Sequence, residues 1–544
     1  MSLLHRVLLV CAVIVGASAV IGLARRRTVR LAALVGCFLF VGFLFSLGVI
    51  DDAYISLRYA RNFANGDGVV FNCAERVEGY TCFLWVLLLG TIKKLFSRAD
   101  LVALARYLGV CFGALAIGTL NKFSTYLSDR TIDDTSTRRS IPFALLLVAA
   151  NFPLIFWSFS GMETTFYVFL IVMSTYFFSK YLLEDDAPLP MLLYASVFQV
   201  FACMTRPETY LLPVCSLAFI AAREKRAGLR AVAIFLVPFL VIFLPYFIWR
   251  YKYFGYLFPN TYYAKVGGGS LGLSLQGLTY LKNGAIPHLT ILAFVVGKMV
   301  RRRQTLTIAD YYLLSIIAIW VVTIVYTGAD HFIELRFFVY MLPFMYLFAL
   351  DEIGVFADGV AGRISRVFRS RHRPIFGHAA IMIISLTTFL ALFYYNSMGV
   401  ASTERFGRHL ADSWGLLGKW LQQNTEVGDV IATPVVGAIG YYCNRTIVDM
   451  LGIVDPVIAH GPRAEPGQGP KDHDRYDSEY VLSRKPQYIY LLSFAPTEKA
   501  FLQEKSWIPA IEDLKRHFPN RHYEYGVVRI GPHYYGLYRR LEAK

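Results

Sequence analysis

The chain has 544 residues, 56% hydrophobic and 17% charged, with a mean hydropathy of +0.47. That balance excludes an ordinary soluble globule and describes a polytopic membrane protein, with a 15% aromatic content suited to interfacial belts. The net charge of +16 does not mark a nucleic-acid binder, because the basic residues cluster between apolar runs in the positive-inside pattern.

Residues 7–23 form an apolar run followed by Arg25, Arg26, Arg27 and Arg30. The charges follow the run rather than precede it, so it reads as a first spanning helix with cytoplasmic arginines, not as a cleaved signal. A second helix is expected over 31–50, delivering Asp51 and Asp52 to the outer membrane face. Acids at a membrane edge are functional candidates, although the pair could simply end the helix. The stretch after them carries Arg58, Arg61, Asn62, Gly66, Gly68, Asn72, Glu75, Arg76, Glu78 and Gly79. It reads as a loop of about thirty residues, far longer than a plain connector needs. Asp51 or Asp52 is the best general base, since a neighbouring carboxylate and a low-dielectric edge raise one pKa.

Further apolar runs extend to residue 395, giving about eleven to thirteen spans. The basic groups 223–226, 298–303 and 363–373 agree in orientation with Arg25–Arg27 only if one of the runs 80–96 and 101–121 is short or re-entrant. The loops on the outer side carry the unusual polar content: Ser160–Thr164, Thr205–Glu208, the stretch from Trp249 to Lys265, and Thr327–Arg336. From these, Glu163 and Asp330 are second-rank acids. Arg206 and Glu208 suit an ion pair. Lys265, Arg58 and Arg336 suit neutralisation of a phosphate leaving group, or plain snorkelling. His331 suits a proton shuttle.

After residue 396 the composition changes, with short alternations at Asp429–Ala432 and Gln487–Leu492 and helical periodicity over Arg405–Gln423. This predicts a membrane domain over 1–395 and a soluble extracytoplasmic (periplasmic) α/β domain over 396–544, with Gly461–Asp474 as a loop. Cys73 and Cys82 could bridge in an oxidising compartment, while Cys11, Cys37, Cys111, Cys203 and Cys215 sit in apolar runs. No CxxC or His/Cys ligand spacing occurs, and a divalent metal at the acidic pair is neither required nor excluded. Asn444-Arg445-Thr446 fits a glycosylation sequon, a weak pattern in isolation.

Asp51-Asp52-Ala53-Tyr54-Ile55-Ser56-Leu57-Arg58-Tyr59, Glu75-Arg76-Val77-Glu78-Gly79-Tyr80-Thr81, Ser160–Thr164 and Thr205–Glu208 occur in an order that resembles one family. Tyr253-Phe254-Gly255, Pro259-Asn260-Thr261, Gly328-Ala329-Asp330 before Arg336, Gly437–Tyr442 and Val448–Gly452 extend the resemblance over nearly the whole chain. The family is the mycobacterial terminal β-arabinofuranosyltransferases and their bacterial relatives, within the GT-C superfamily of membrane glycosyltransferases. The resemblance implies a multi-pass protein of the bacterial inner (plasma) membrane with its site on the extracytoplasmic side. It implies transfer of a sugar, arabinofuranose first, from a polyprenyl-phosphate donor to a cell-envelope glycan or glycoprotein. Asp51 or Asp52, with Glu163 and Asp330, would form the catalytic set. Tyr54, Arg58, Glu75, Arg76, Glu78, Arg206, Glu208, Asn260, Lys265, His331 and Arg336 would bind substrate. The alternative is a transporter or flippase of a lipid-linked glycan, which would place polar groups near the bilayer midplane and show repeated halves. The polar residues gather instead on one face, and no repeat is evident.

Overall fold

A computed structural model describes residues 3–541 except 25, 46–47, 132–143, 187, 224–227, 268–269, 331, 333, 368–375, 377–378, 381, 385, 395–408, 463–474, 496–508 and 518–522. His331, the expected domain boundary and most of the Gly461–Asp474 segment therefore lie outside the described residues.

The chain is an α-helical membrane bundle followed by a small α/β domain. Among the described residues, seven helices are long and apolar enough to cross a bilayer: His5–Leu23, Arg27–Leu44, Leu101–Arg130, Thr164–Leu183, Gly228–Phe254, Ile308–Thr327 and Arg336–Val367. An eighth candidate is broken, because Leu271–Ala285 and Leu289–Arg301 meet at 97°. Shorter apolar helices, including Phe83–Leu95, Phe152–Phe159, Leu189–Thr205 and Leu211–Arg223, complete the bundle, and a count above eight depends on them. Phe83–Leu95 is the short segment expected between 80 and 121. Its 13 residues reach only about 20 Å, against a hydrocarbon core of about 30 Å. Arg336–Val367 is the central helix, with 94% of its apolar window buried. Gly228–Phe254 has 17% buried and presents its side chains outward. Pro238 lacks an N–H, and the turn that follows it, Phe239–Phe243, is a π-helical bulge in that peripheral helix.

The region around the two aspartates departs from expectation. The helix expected over 31–50 ends at Leu44, and Asp51 opens a separate helix, Asp51–Asn65. Two acids in a first turn complement the positive end of a helix, so the pair starts this element rather than stopping the previous one. Gly66, at φ 95°, supplies the left-handed residue that ends it. About half of the supposed loop is therefore helical.

Among the described residues, the C-terminal domain holds a five-stranded sheet of order β2-β1-β3-β5-β4, from β1 Val430–Thr433, β2 Thr446–Asp449, β3 Tyr488–Ala495, β4 Tyr523–Ile530 and β5 His533–Arg540. β1 pairs in parallel with β2 and β3, while β5 runs antiparallel to β3 and β4. The alternations at 429–432 and 487–492 become β1 and β3. Buried residues of this domain, among them Ile439, Val454 and Tyr490, join the same apolar core as the bundle.

One buried ion pair fastens the loop before Phe83–Leu95 to the bundle. Glu78 accepts from Arg250 through both carboxylate oxygens, at 2.9 and 2.5 Å, and the Glu78 carbonyl accepts the Asn260 N–H at 2.9 Å. Both side chains are almost fully buried. Arg250→Met is therefore expected to destabilise the protein by about 3–5 kcal/mol, because it strands the Glu78 charge. Thermal unfolding in detergent checks this. Arg250→Met with Glu78→Leu should recover much of the loss.

Candidate active site

A cavity of about 470 Å³ lies where the Asp51–Asn65 helix meets the turns at 161–163 and 206–208, the helix Asn260–Lys265, and the adjoining ends of Ile308–Thr327 and Arg336–Val367. Asp52, Ile55 and Ser56 line it from one side of their helix. Adjacent helical residues point about 100° apart, so Asp51 faces elsewhere. Its carboxylate accepts the N–H groups of Ala438 at 2.7 Å and Gly437 at 3.2 Å. The two aspartates thus serve different surfaces, and they do not converge on one ion. Among the described residues, no three His, Cys, Asp or Glu side chains group as ligands for a metal.

Across the cavity stand two ion-paired clusters. Glu163 immediately precedes Thr164–Leu183, and Arg206 follows Leu189–Thr205, where Pro207 prevents the helix from continuing. Arg206 bridges Glu163 at 2.9 Å and Glu208 at 2.7 Å. Arg336 holds Asp330 at 2.7 Å and lies over the Trp157 ring at 5.3 Å. Gly328 and Ala329, both at positive φ, turn the chain just before Asp330. Each carboxylate is fixed through one oxygen and keeps another, Glu163 Oε2, Glu208 Oε2 and Asp330 Oδ1, without a hydrogen-bond partner among the described residues. Lys265, Tyr262, Thr261 and Tyr326 complete the polar wall, and Leu211, Phe258 and Val322 supply an apolar flank.

Known proteins resemble different extents of the chain. Residues 396–536 match a family described as a domain of unknown function (DUF8728). Over 255 residues the chain is 30% identical to the terminal β-(1→2)-arabinofuranosyltransferase of Mycobacterium tuberculosis, covering 44% of this chain and 38% of that enzyme. ArnT from Cupriavidus metallidurans, in its structure bound to undecaprenyl phosphate, matches 95% of this chain and 99% of its own at 13% identity, with a TM-score of 0.58. The chain has the GT-C fold. The apo oligosaccharyltransferase of Archaeoglobus fulgidus agrees, with a TM-score of 0.53 at 12% identity over 91% of this chain and 71% of that one.

On this GT-C scaffold, Asp52, Glu163, Arg206, Glu208, Lys265, Asp330 and Arg336 come together in one cavity. The other described candidates do not line it. Arg58 is buried, over the Phe71 ring, and its two Nη groups donate to the carbonyls of Gly440 and Arg445 and to Asn72, so its guanidinium is turned to the C-terminal domain and away from the cavity. Tyr54 packs on Tyr441 and Tyr442. Glu75 pairs with Arg484 at 2.8 Å, and Arg76 lies over the Tyr253 ring. Glu78 is committed to Arg250, and Asn260 donates to the carbonyls of Gly452 and Ile453. These six residues contact other parts of the chain and lie off the cavity lining. Cys73 and Cys82 are both free, and Cys82 lies buried beside Ser56 at 3.2 Å. Asn444, the sequon residue, accepts from Arg61 through Oδ1. Ser56 was missed, although it lies one turn beyond Asp52. Arg250 was missed because a basic residue at the end of an apolar helix ordinarily snorkels.

Burial pushes the Asp51 carboxyl up to about 7, against the pull of the Ala438 N–H, with repulsion from Asp52 adding to the rise and the Gly437 N–H opposing it. An acid whose folded pKa is raised binds an extra proton when folded. Its contribution to stability is full below about pH 4 and is lost as pH climbs through 7. The unfolding midpoint of the wild type should therefore fall more steeply between about pH 5 and about pH 8 than that of Asp51→Asn, which cannot ionise. Equal slopes in a detergent unfolding series would contradict this.

Proposed function

We propose that this protein is a membrane glycosyltransferase that moves a sugar, with arabinofuranose the first choice, from a polyprenyl-phosphate donor to a cell-envelope glycan or glycoprotein. The observation that carries the reading is the cavity itself, where one carboxylate of the pair, Asp52, faces Arg206, Arg336 and Lys265 beside an apolar flank. Asp52 takes the proton of the acceptor hydroxyl as the acceptor oxygen bonds to the sugar anomeric carbon. The bond from that carbon to the phosphate oxygen breaks, and polyprenyl phosphate leaves with its new charge met by the cations. The unpaired oxygens of Glu163, Glu208 and Asp330 suit sugar hydroxyls, which donate to them. Leu211 and Val322, both more than half exposed, mark where an isoprenoid tail would pass to the bilayer.

Charge supports an extracytoplasmic site in a bacterial inner membrane. The basic residues Lys298, Arg301 and Arg302 pair with Asp310, Asp351 and Glu352. That network lies at the start of Ile308–Thr327 and the cavity lies at its end, which supports an outer-side cavity under the positive-inside pattern. Transport is the weaker reading, because the polar groups meet at helix ends rather than at mid-span.

Purified full-length protein in proteoliposomes, given radiolabelled polyprenyl-phospho-arabinofuranose and a cell-envelope glycan fraction, tests the reading. Label should pass to the acceptor. Transfer only from a different polyprenyl-phosphate sugar would discard arabinofuranose, and transfer from none would sink the proposal.

A further inference from the structure

The transfer chemistry uses one side of the Asp51–Asn65 helix. The other side carries Asp51, Tyr54, Arg58 and Arg61 at the spacing of a single helical face, and all four meet the C-terminal domain. Their counterpart is the six-residue helix Ala438–Cys443 and the turn after it. Asp51 accepts the N–H groups at its start, from Gly437 and Ala438. Arg58 donates to the carbonyls of Gly440 at 2.8 Å and Arg445 at 2.7 Å. Arg61 donates to the Tyr441 carbonyl at 2.7 Å and to Asn444 Oδ1 at 3.0 Å. The acid meets the N–H end and the arginines meet the carbonyl end, the sense in which unpaired helix termini are satisfied. Tyr54 fills the middle against Tyr441 and Tyr442.

The approach is close. A Cβ on Gly437 would lie 2.1 Å from the Asp51 carbonyl oxygen, and one on Gly440 would lie 3.0 Å from Arg58 Nη1. The same domain also reaches the cavity, which Ile453 lines. Asp449 shapes that loop by accepting the N–H groups of Leu451 at 2.9 Å and Val454 at 2.8 Å, and Asn260 holds it from the bundle.

We propose that the C-terminal domain is the positioning element of the catalytic helix. Its clamp on Asp51, Arg58 and Arg61 fixes the roll of that helix and hence the reach of Asp52 into the cavity. This inference rests on the transfer reading. A roll of about 20° carries a carboxylate about 5 Å from the helix axis through about 2 Å. Displacements of about 1 Å can cost about a hundredfold in rate.

The test uses full-length protein in proteoliposomes with two variants. Gly437→Ala forces a methyl group into the clamp. Arg61→Ala removes two hydrogen bonds at its rim without adding an atom, and so guards against misfolding of the first. Three quantities are read for each: kcat and KM for transfer from the polyprenyl-phosphate sugar, the Kd for undecaprenyl phosphate alone, and hydrogen exchange over residues 51–65. The expected result is a fall in kcat of about 10- to 100-fold, KM and Kd close to wild type, and faster exchange in this helix only. Unchanged kcat per folded protein in both variants would overturn the proposal. So would a kcat loss matched by loss of undecaprenyl phosphate binding, since that is general collapse of the site. If the wild type transfers no sugar, the transfer reading fails by itself. The clamp is then supported by faster exchange confined to 51–65 and overturned by unchanged exchange.

Discussion

Asp52→Asn in the reconstituted full-length protein should cut sugar transfer by about a thousandfold, the middle of the range for losing a positioned general base. The amount of folded protein and the binding of undecaprenyl phosphate should stay near wild type, because among the described residues the Asp52 carboxylate makes no ion pair whose partner would be stranded. Asp51→Asn is the matched control. It changes a neighbouring residue by the same single atom, yet its side chain serves Gly437 and Ala438 outside the cavity and keeps one carbonyl acceptor for them. Its loss should be far smaller. Asp52→Glu keeps the charge but moves the carboxylate by about one bond length, and an intermediate loss near a hundredfold follows. If Asp52→Asn retains transfer within about tenfold of wild type, outside the range for a general base, the base is not Asp52. Glu163 and Asp330, each with an unpaired oxygen, become the next candidates.

The division between the two aspartates shows where a sequence stops being readable. The membrane bundle and the α/β domain were legible from hydropathy and alternation, because lipid demands apolar runs and sheets demand a period of two. Glu163, Arg206, Glu208, Asp330 and Arg336 stood out because polar groups are costly beside apolar helices and so mark themselves. Their meeting in one cavity was not legible, since it depends on how distant helix ends pack. The acidic pair misled for a local reason: acids after an apolar run read as a stop, yet acids also open helices. That Arg58, Glu75 and Asn260 meet the C-terminal domain was hidden for a long-range reason. Polar residues that bind another domain of the same chain look, in sequence, like residues that bind a ligand. Arg58 and Gly440 are 382 positions apart, and no spacing rule links them.

Arg206→Met should cost both stability and substrate. Arg206 stands between two carboxylates, and the Glu163 side chain is 1% exposed, so removing the guanidinium leaves a buried charge without its partner and a second carboxylate nearby. Breaking such a buried pair costs about 3–5 kcal/mol, and the unfolding midpoint in detergent should drop accordingly. The same change removes a cation from the cavity, and affinity for undecaprenyl phosphate should fall more than about tenfold, the range for a charge-assisted hydrogen bond. Two further variants separate these effects. Arg206→Lys keeps the charge but cannot fork to both acids, so it should restore phosphate binding better than stability. Adding Glu163→Gln to Arg206→Met removes the stranded charge and should recover stability while leaving phosphate binding weak. If the Arg206→Met variant loses stability but binds undecaprenyl phosphate normally, Arg206 is a scaffold for Glu163 and Glu208. The phosphate then belongs to Lys265 and Arg336, the other cations that line the cavity.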